Sequence, residues 1–217
     1  MDEATWLTCV DPTPMLEFLR GKVSDRKLWL VACACCRGIW SKLVDSRRRV
    51  VEAAERYADR LTTRRELRAV ARAAMRRYRV DADPALRAGS ASLGELARAA
   101  KDAASVASFN RLFEKHESDA DSLPLDQANC LRDIIGNPYR PVVLDPAWRT
   151  PTVTALARAA YEERELPAGT LDVARLAILA DALEDAGCGD EQILDHLRGP
   201  GPHVRGCFVL DALLSKE

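Results

Sequence analysis

The sequence predicts an all-α protein, and three observations carry that prediction. Alanine, leucine and arginine dominate a chain of 217 residues in which aromatics make up 6%, a bias toward helix formers and away from strand formers. Apolar residues recur three and four positions apart along most of the chain, the mark of one buried helical face. Start and stop signals bound those runs. The expectation is a single irregular bundle of about eight to ten helices over residues 1–217, a length that suits one domain and a core without staples.

Each element has its own justification. Asp11 or Thr13 caps a first helix with Pro14 in its opening turn; Met15, Phe18 and Leu19 share a face, and Gly21 ends it. Ser24 caps a longer helix. There Leu28, Val31, Ala32, Cys35, Ile39 and Leu43 form one apolar stripe, and Trp29, Cys33, Cys36 and Trp40 form a second. A helix apolar over so much of its circumference belongs in a core, and both chain ends are expected to pack around it. Ser46 opens the next helix, with Val50, Ala53, Ala54, Tyr57 and Leu61 inward. Thr63 to Glu66 reads as a capping box opening another, with Leu67, Val70, Ala71, Ala74 and Tyr78 inward. Residues 80–91 form a loop, 92–116 an Ala-rich peripheral helix that buries little area, and 117–123 a linker; about 80–120 is the variable part.

A helix over 124–135 stops at Gly136-Asn137-Pro138. Three prolines keep 139–147 extended, with a lone strand at most at Val142 to Leu144. Thr150-Pro151 opens a helix to about Arg164. Thr170 starts the next, with Leu176, Leu179, Ala180 and Leu183 inward and Gly187 at its end. Asp190 caps a short helix, Gly199-Pro200-Gly201-Pro202 forces a turn, and residues 208–214 close the chain as a short apolar helix.

The net charge of −1 conceals an asymmetry: residues 1–118 hold 23 Lys/Arg against 16 Asp/Glu, and residues 119–217 hold 9 against 17. Neither half is a pure charge block, so attraction within one fold is the expected use, with a basic binding surface as the alternative. Seven cysteines, an odd number, with no secretory leader, point to reduced thiols in the cytoplasm. The longest apolar run, residues 28–36, is too short to cross a bilayer.

Two stretches are distinctive. One is WLTCVDPTPMLEFL at 6–19, followed by SDRKL at 24–28, ACACCR at 32–37 and IW at 39–40. The other is LADALEDAGC at 179–188 with HLRGPGPHVRGC at 196–207. In these segments and in 131–151 the chain resembles a large paralogous family of uncharacterised planctomycete bacterial proteins, a resemblance that implies no activity. Residues 176–187 also resemble the helical segment of the repeat-companion module of those bacteria, with Ala182 where that module has tryptophan.

Four constellations bear on chemistry. Cys188, His196, His203 and Cys207 lie within twenty residues, and two thiolates with two imidazoles suit tetrahedral, structural zinc. Their spacing, C-x7-H-x6-H-x3-C, is that of no common zinc module, and a core thiol pair with capping histidines is the plainer reading. Cys33, Cys35 and Cys36 cannot all face one ion from a helix, so with Cys9 they read as core. Residues 37–79 carry fourteen Lys/Arg against five acids; Arg47, Arg48, Arg49, Arg64, Arg65, Arg76 and Arg77 are the candidates for phosphate contact, and a solvated or internally paired face is the plainer reading. Asp181, Glu184 and Asp185 stand one turn apart, with Arg175 or Arg205 as expected partners. No P-loop, GxGxxG, HExxH or GxSxG occurs, so no enzyme is expected. The sequence therefore points to a non-catalytic interaction or accessory module with a protein partner. The alternative is a zinc-stabilised protein that associates with nucleic acid through residues 37–79.

Overall fold

The computed structural model describes residues 1–78 and 127–216, without the side chains of Lys42 and residues 75–78. The loop, Ala-rich helix and linker expected over 80–123 lie outside the described residues. The described chain is all-α: ten α-helices, two 3-10 turns, and no strand beyond isolated bridges at Glu165–Thr170 and Thr170–Val204. The helices are α1 (Glu3–Thr8), α2 (Pro12–Leu19), α3 (Asp25–Gly38), α4 (Asp45–Ala58) and α5 (Arg64–Tyr78), then α6 (Gln127–Ile135), α7 (Pro151–Glu162), α8 (Val173–Asp185), α9 (Glu191–Arg198) and α10 (Phe208–Leu213). The chain divides into two compact units, residues 1–15 with 125–217 and residues 16–124. The helix expected to gather both chain ends, α3, belongs to the second unit, while the two ends build the first.

In the second unit α3 packs on α4, and α4 on α5. Ser24 caps α3 through the Lys27 amide. Leu30, Val31, Cys33, Ala34, Cys36 and Arg37 are buried and Leu28, Trp29 and Cys35 half-buried, so this helix is enclosed around much of its girth. It stops at Gly38, however, and the expected stripe residues Ile39, Trp40 and Leu43 lie past its end, around a 3-10 turn at Trp40–Lys42. Two ion pairs are buried with it. Arg37 binds Glu55 with two parallel bonds of 2.9 Å, and Arg26 reaches Asp59 at 2.8 Å. Burial, with the Glu55 charge adding to it, pushes the Cys36 thiol up to about 12, which keeps it an inert core sulfur. Helix α4 begins one residue before the expected Ser46. Its first-turn Asp45 pairs with Arg48 at 3.2 Å, and the N-cap position, Val44, offers no side-chain acceptor.

The capping box at α5 forms as read. The Glu66 carboxylate accepts from the Thr63 amide at 2.8 Å and from the Thr62 and Thr63 hydroxyls, while Thr63 Oγ1 accepts from the Glu66 amide at 3.3 Å. These bonds, the Thr63 amide foremost, bring the Glu66 carboxyl down to about 2 from an ordinary 4.5. A carboxyl lowered on folding stabilises fully above its unfolded value, and that contribution is lost as pH falls through the folded one. A side-chain NMR titration should therefore place the Glu66 midpoint near 2, and Thr63→Ala should move it upward.

The first unit has one core, with Val153, Tyr161, Leu176, Leu179, Leu183, Ile193, Leu197 and Leu210 at its centre. Helix α7 opens as expected, with Thr150 accepting from the Val153 amide and Pro151 in its first turn. Helix α8 begins three residues later than the expected Thr170. Thr170 is occupied instead, its carbonyl accepting from the Glu165 amide at 2.9 Å, and Asp172 does the capping. Residues 142–144 form no strand. Helix α1, which the apolar pattern did not announce, is six residues capped by Asp2. A helix so short is marginal alone. Here the fully buried Trp6 holds it, donating Nε1–H to the Gly136 carbonyl at 3.1 Å, while Arg132 donates to the carbonyls of Trp6 and Cys9 at its far end.

Candidate metal centre

The first unit brings together four ligating side chains: Asp133, His196, His203 and Cys207. They come from separate segments. Asp133 stands in the last turns of α6, among the buried Cys130, Leu131 and Ile134. His196 stands in the last turn of α9, which Asp190 caps through the Gln192 and Ile193 amides. His203 lies in the connection after α9, and Cys207 is the N-cap residue of α10.

Local backbone explains why the two loop ligands point inward. Gly201 has φ +88°, and a Cβ there would sit 2.8 Å from the His203 nitrogen, so only glycine permits this turn. The His203 carbonyl then accepts from the Leu171 amide at 2.8 Å, and the Val204 amide donates to Asp133 Oδ2 at 2.8 Å. Gly136, at φ +76°, ends α6 beneath the Phe208 ring, whose nearest atom lies 3.0 Å from the place of a Cβ. Phe208 in turn packs on the His196 ring at 4.4 Å between centroids.

The four ligand atoms all lie within 4.8 Å of one another. Asp133 Oδ1 is 3.0 Å from His203 Nδ1 and 3.1 Å from His196 Nε2, and His196 Nε2 is 3.2 Å from Cys207 Sγ. The imidazole rings meet edge to face, 4.8 Å between centroids. Asp133, His203 and Cys207 are 2%, 3% and 0% exposed. His196 is the ligand at the surface, its side chain 19% exposed. It lines an open cleft of about 600 Å³, together with Trp6, Leu7 and Phe208.

Hydrogen bonding sets the polarity of the group. His203 Nε2 lies 3.1 Å from the Gly199 carbonyl, which only accepts, so Nε2 carries a proton and donates. Nδ1 therefore turns toward a carboxylate oxygen. Without a metal, a proton held between His203 Nδ1 and the Asp133 carboxylate bridges that 3.0 Å gap. Burial pushes the His203 imidazolium down, but the hydrogen bond and charge of Asp133, with the Gly199 carbonyl, outweigh it, and His203 sits above its ordinary value. Burial likewise pushes the Asp133 carboxyl up, and the bonds from His196 and His203 outweigh that, holding it below its ordinary value. A metal ion placed among the four atoms takes over the work of these protons. Buried Asp, His, His and Cys can hold such an ion. Tetrahedral zinc, with bonds of about 2.0–2.3 Å, sets its ligand atoms about 3.3–3.8 Å apart, so the three short gaps would widen by a few tenths of an ångström while the wider ones, up to 4.8 Å, would close around the ion. The supporting bonds are those of a ligand shell: Gly199 fixes the His203 tautomer, and Val204 anchors the second Asp133 oxygen.

Three of the four residues expected from sequence thus meet, and Cys188 does not. It ends the turn after α8, its amide bonded to the Leu183 carbonyl at 2.9 Å, and its side chain is buried in the core, where desolvation raises the thiol. Asp133 takes its place. The one available signal was an acid amid the apolar positions of an expected helix, with no basic residue facing it.

Cys33 and Cys36 are buried and Cys35 and Cys9 half-buried, and the described residues contain no second metal-ligating group. Asp181 and Glu184 pair with Arg198, rather than with Arg175 or Arg205; Arg175 serves Glu163 and Asp172, and Arg205 covers the Tyr161 ring. Of the basic candidates, Arg47 is buried and so lost to a contact surface. Arg48 is tied to Asp45 and to the Trp40 carbonyl. Arg49, Arg64 and Arg65 are exposed, and the side chains of Arg76 and Arg77 lie outside the described residues.

Comparison with protein families, with curated proteins and with solved structures finds no match. The planctomycete resemblance therefore rests on the quoted motifs alone. No helix among the described residues is long and apolar enough to cross a membrane.

Proposed function

We propose that this protein is a non-catalytic interaction module whose first unit is locked by one zinc ion on Asp133, His196, His203 and Cys207. The observation that carries this reading is the convergence of four ligand atoms, within 4.8 Å, from three buried segments and the surface histidine. The donor set selects the metal. Hard calcium and magnesium take oxygen ligands, whereas one thiolate, two imidazoles and one carboxylate suit zinc. Two neutral imidazoles and two anions balance its charge, so the buried centre is neutral. Four protein ligands fill a tetrahedral shell and leave no place for a reacting water, which makes the ion's role structural. The thiolate ligand also suits a reducing compartment such as the cytoplasm.

What the ion would hold is clear from the chain. It would tie α6, α9 and the start of α10 to the Gly199–Cys207 turn, and through Gly136 support the docking of Trp6. The direct test is elemental analysis of protein purified without a metal-affinity tag, with melting before and after chelation. One zinc per chain is expected. At free zinc a thousandfold above its Kd the stabilisation is about 4 kcal/mol, or a loss of about 15 °C or more on chelation for a unit of this size. Protein that takes up no zinc from zinc-containing buffer, and melts alike with and without chelator, would overturn the reading.

A further inference from the structure

Independently of the metal centre, we propose that the outer face of α4 and α5 binds nucleic acid through its phosphate backbone. The inference rests on the excess of exposed arginines over exposed acids along these two helices. Five acids accompany the arginines of residues 37–79, and four are engaged. Asp45 pairs with Arg48, Glu55 with Arg37, Asp59 with Arg26, and Glu66 accepts the Thr62 and Thr63 bonds of the α5 cap. Glu55 and Asp59 are thereby taken out of solvent, while Asp45, Glu52 and Glu66 stay exposed as carboxylates against a larger number of exposed arginines. On α4, Arg49 and Arg56 stand seven residues apart on one exposed face; on α5, Arg65, Arg68 and Arg72 stand three and four apart on another. Arg56 stands near the Glu66 carboxylate and helps to lower it; the other four form no salt bridge among the described residues.

The chemistry of the face favours phosphate over the other occupants of a basic surface. Every one of the five cations is arginine, whose planar fork binds phosphate oxygens in pairs. The α5 arginines span roughly 10 Å of helix, enough to meet successive phosphates. A membrane-surface helix must turn large apolar residues outward, but among the described side chains of α5 Leu67, Val70, Ala71 and Ala74 are buried or half-buried, and the exposed apolar ones are only Ala69 and Ala73. A protein interface would want aromatic or aliphatic anchors at its centre; among the described side chains the two helices expose none, and Leu61 is exposed only in their connection. Contacts of this kind position a nucleic acid without reading its bases.

The test uses the full chain and a fluorescein-labelled 20-base-pair DNA duplex, followed by anisotropy. Four neutralised phosphates give a log–log salt slope of about −3.6, so binding at 200 mM salt should be about 150-fold weaker than at 50 mM. Replacing Arg65, Arg68 and Arg72 together by Glu should abolish binding at 50 mM salt without changing the melting curve. Each single Arg→Gln change, gentler on the fold, should reduce the slope by about one. Arg158→Glu, an exposed change in the first unit, should leave binding intact. No binding at 50 mM salt, binding that survives the triple reversal, or sedimentation with phosphatidylserine vesicles in place of DNA would each overturn the proposal.

Discussion

Asp133→Ala protein should bind zinc roughly 100-fold or more weakly than the wild type, since even supporting-shell losses cost 10–100-fold, whereas Cys188→Ala protein should bind it unchanged. This pair of variants separates the arrangement seen in three dimensions from the one suggested by spacing along the chain. Both residues are buried, 2% and 4% exposed, so both substitutions disturb the core, and loss of stability alone does not distinguish them. Metal stoichiometry does. Cobalt adds a signature, because a thiolate-to-cobalt charge-transfer band should appear in the wild type, persist in Cys188→Ala and vanish in Cys207→Ser. If Cys188→Ala abolished the band and Asp133→Ala kept it, the centre would not be the one described.

Arg37→Met alone should destabilise the second unit by about 3–5 kcal/mol, because it takes the two-pronged guanidinium partner from a buried carboxylate. Both side chains of the pair are 5% exposed and joined by two bonds of 2.9 Å. The guanidinium also lies 4.1 Å from the Trp40 ring centroid, so its removal exposes that ring as well. The double variant Arg37→Met with Glu55→Leu should recover most of the loss, since desolvating a buried pair costs nearly as much as its attraction returns. Urea unfolding followed by circular dichroism measures both. A single variant within about 1 kcal/mol of wild type would show that water reaches the pair and screens it.

The sequence already announced most helices, because their signals are local. Thr63 and Glu66 are three residues apart, and a capping box needs nothing else. Thr150-Pro151 and Asp190 mark helix starts in the same way, and Gly136 and Gly187 mark ends, both at positive φ. The misplacements have tertiary causes. Thr170 fails as a helix start because its backbone pairs with Glu165 and Val204, and α1 escaped notice because a six-residue helix owes its existence to Trp6 reaching a carbonyl 130 residues away.

The candidate centre divides along the same line. His196, His203 and Cys207 sit within twelve residues around a glycine–proline turn, so their convergence was legible from spacing and turn chemistry. Asp133 is 63 positions before His196, and no periodicity relates them. Only the fold of the first unit, with α6 packed on α10, brings its carboxylate to both imidazoles, and the turn that ends α8 leaves Cys188 facing the core. The basic segment shows the same limit in reverse. The sequence counted its charges, but the tertiary structure decided which were spent, burying Arg47, engaging Asp45, Glu55 and Asp59 in ion pairs, and leaving Arg65, Arg68 and Arg72 exposed. Residue types, helix limits and charge totals are properties of a chain read locally. Which side chains share a site is a property of contacts between distant segments, and those exist only once the apolar faces have been buried.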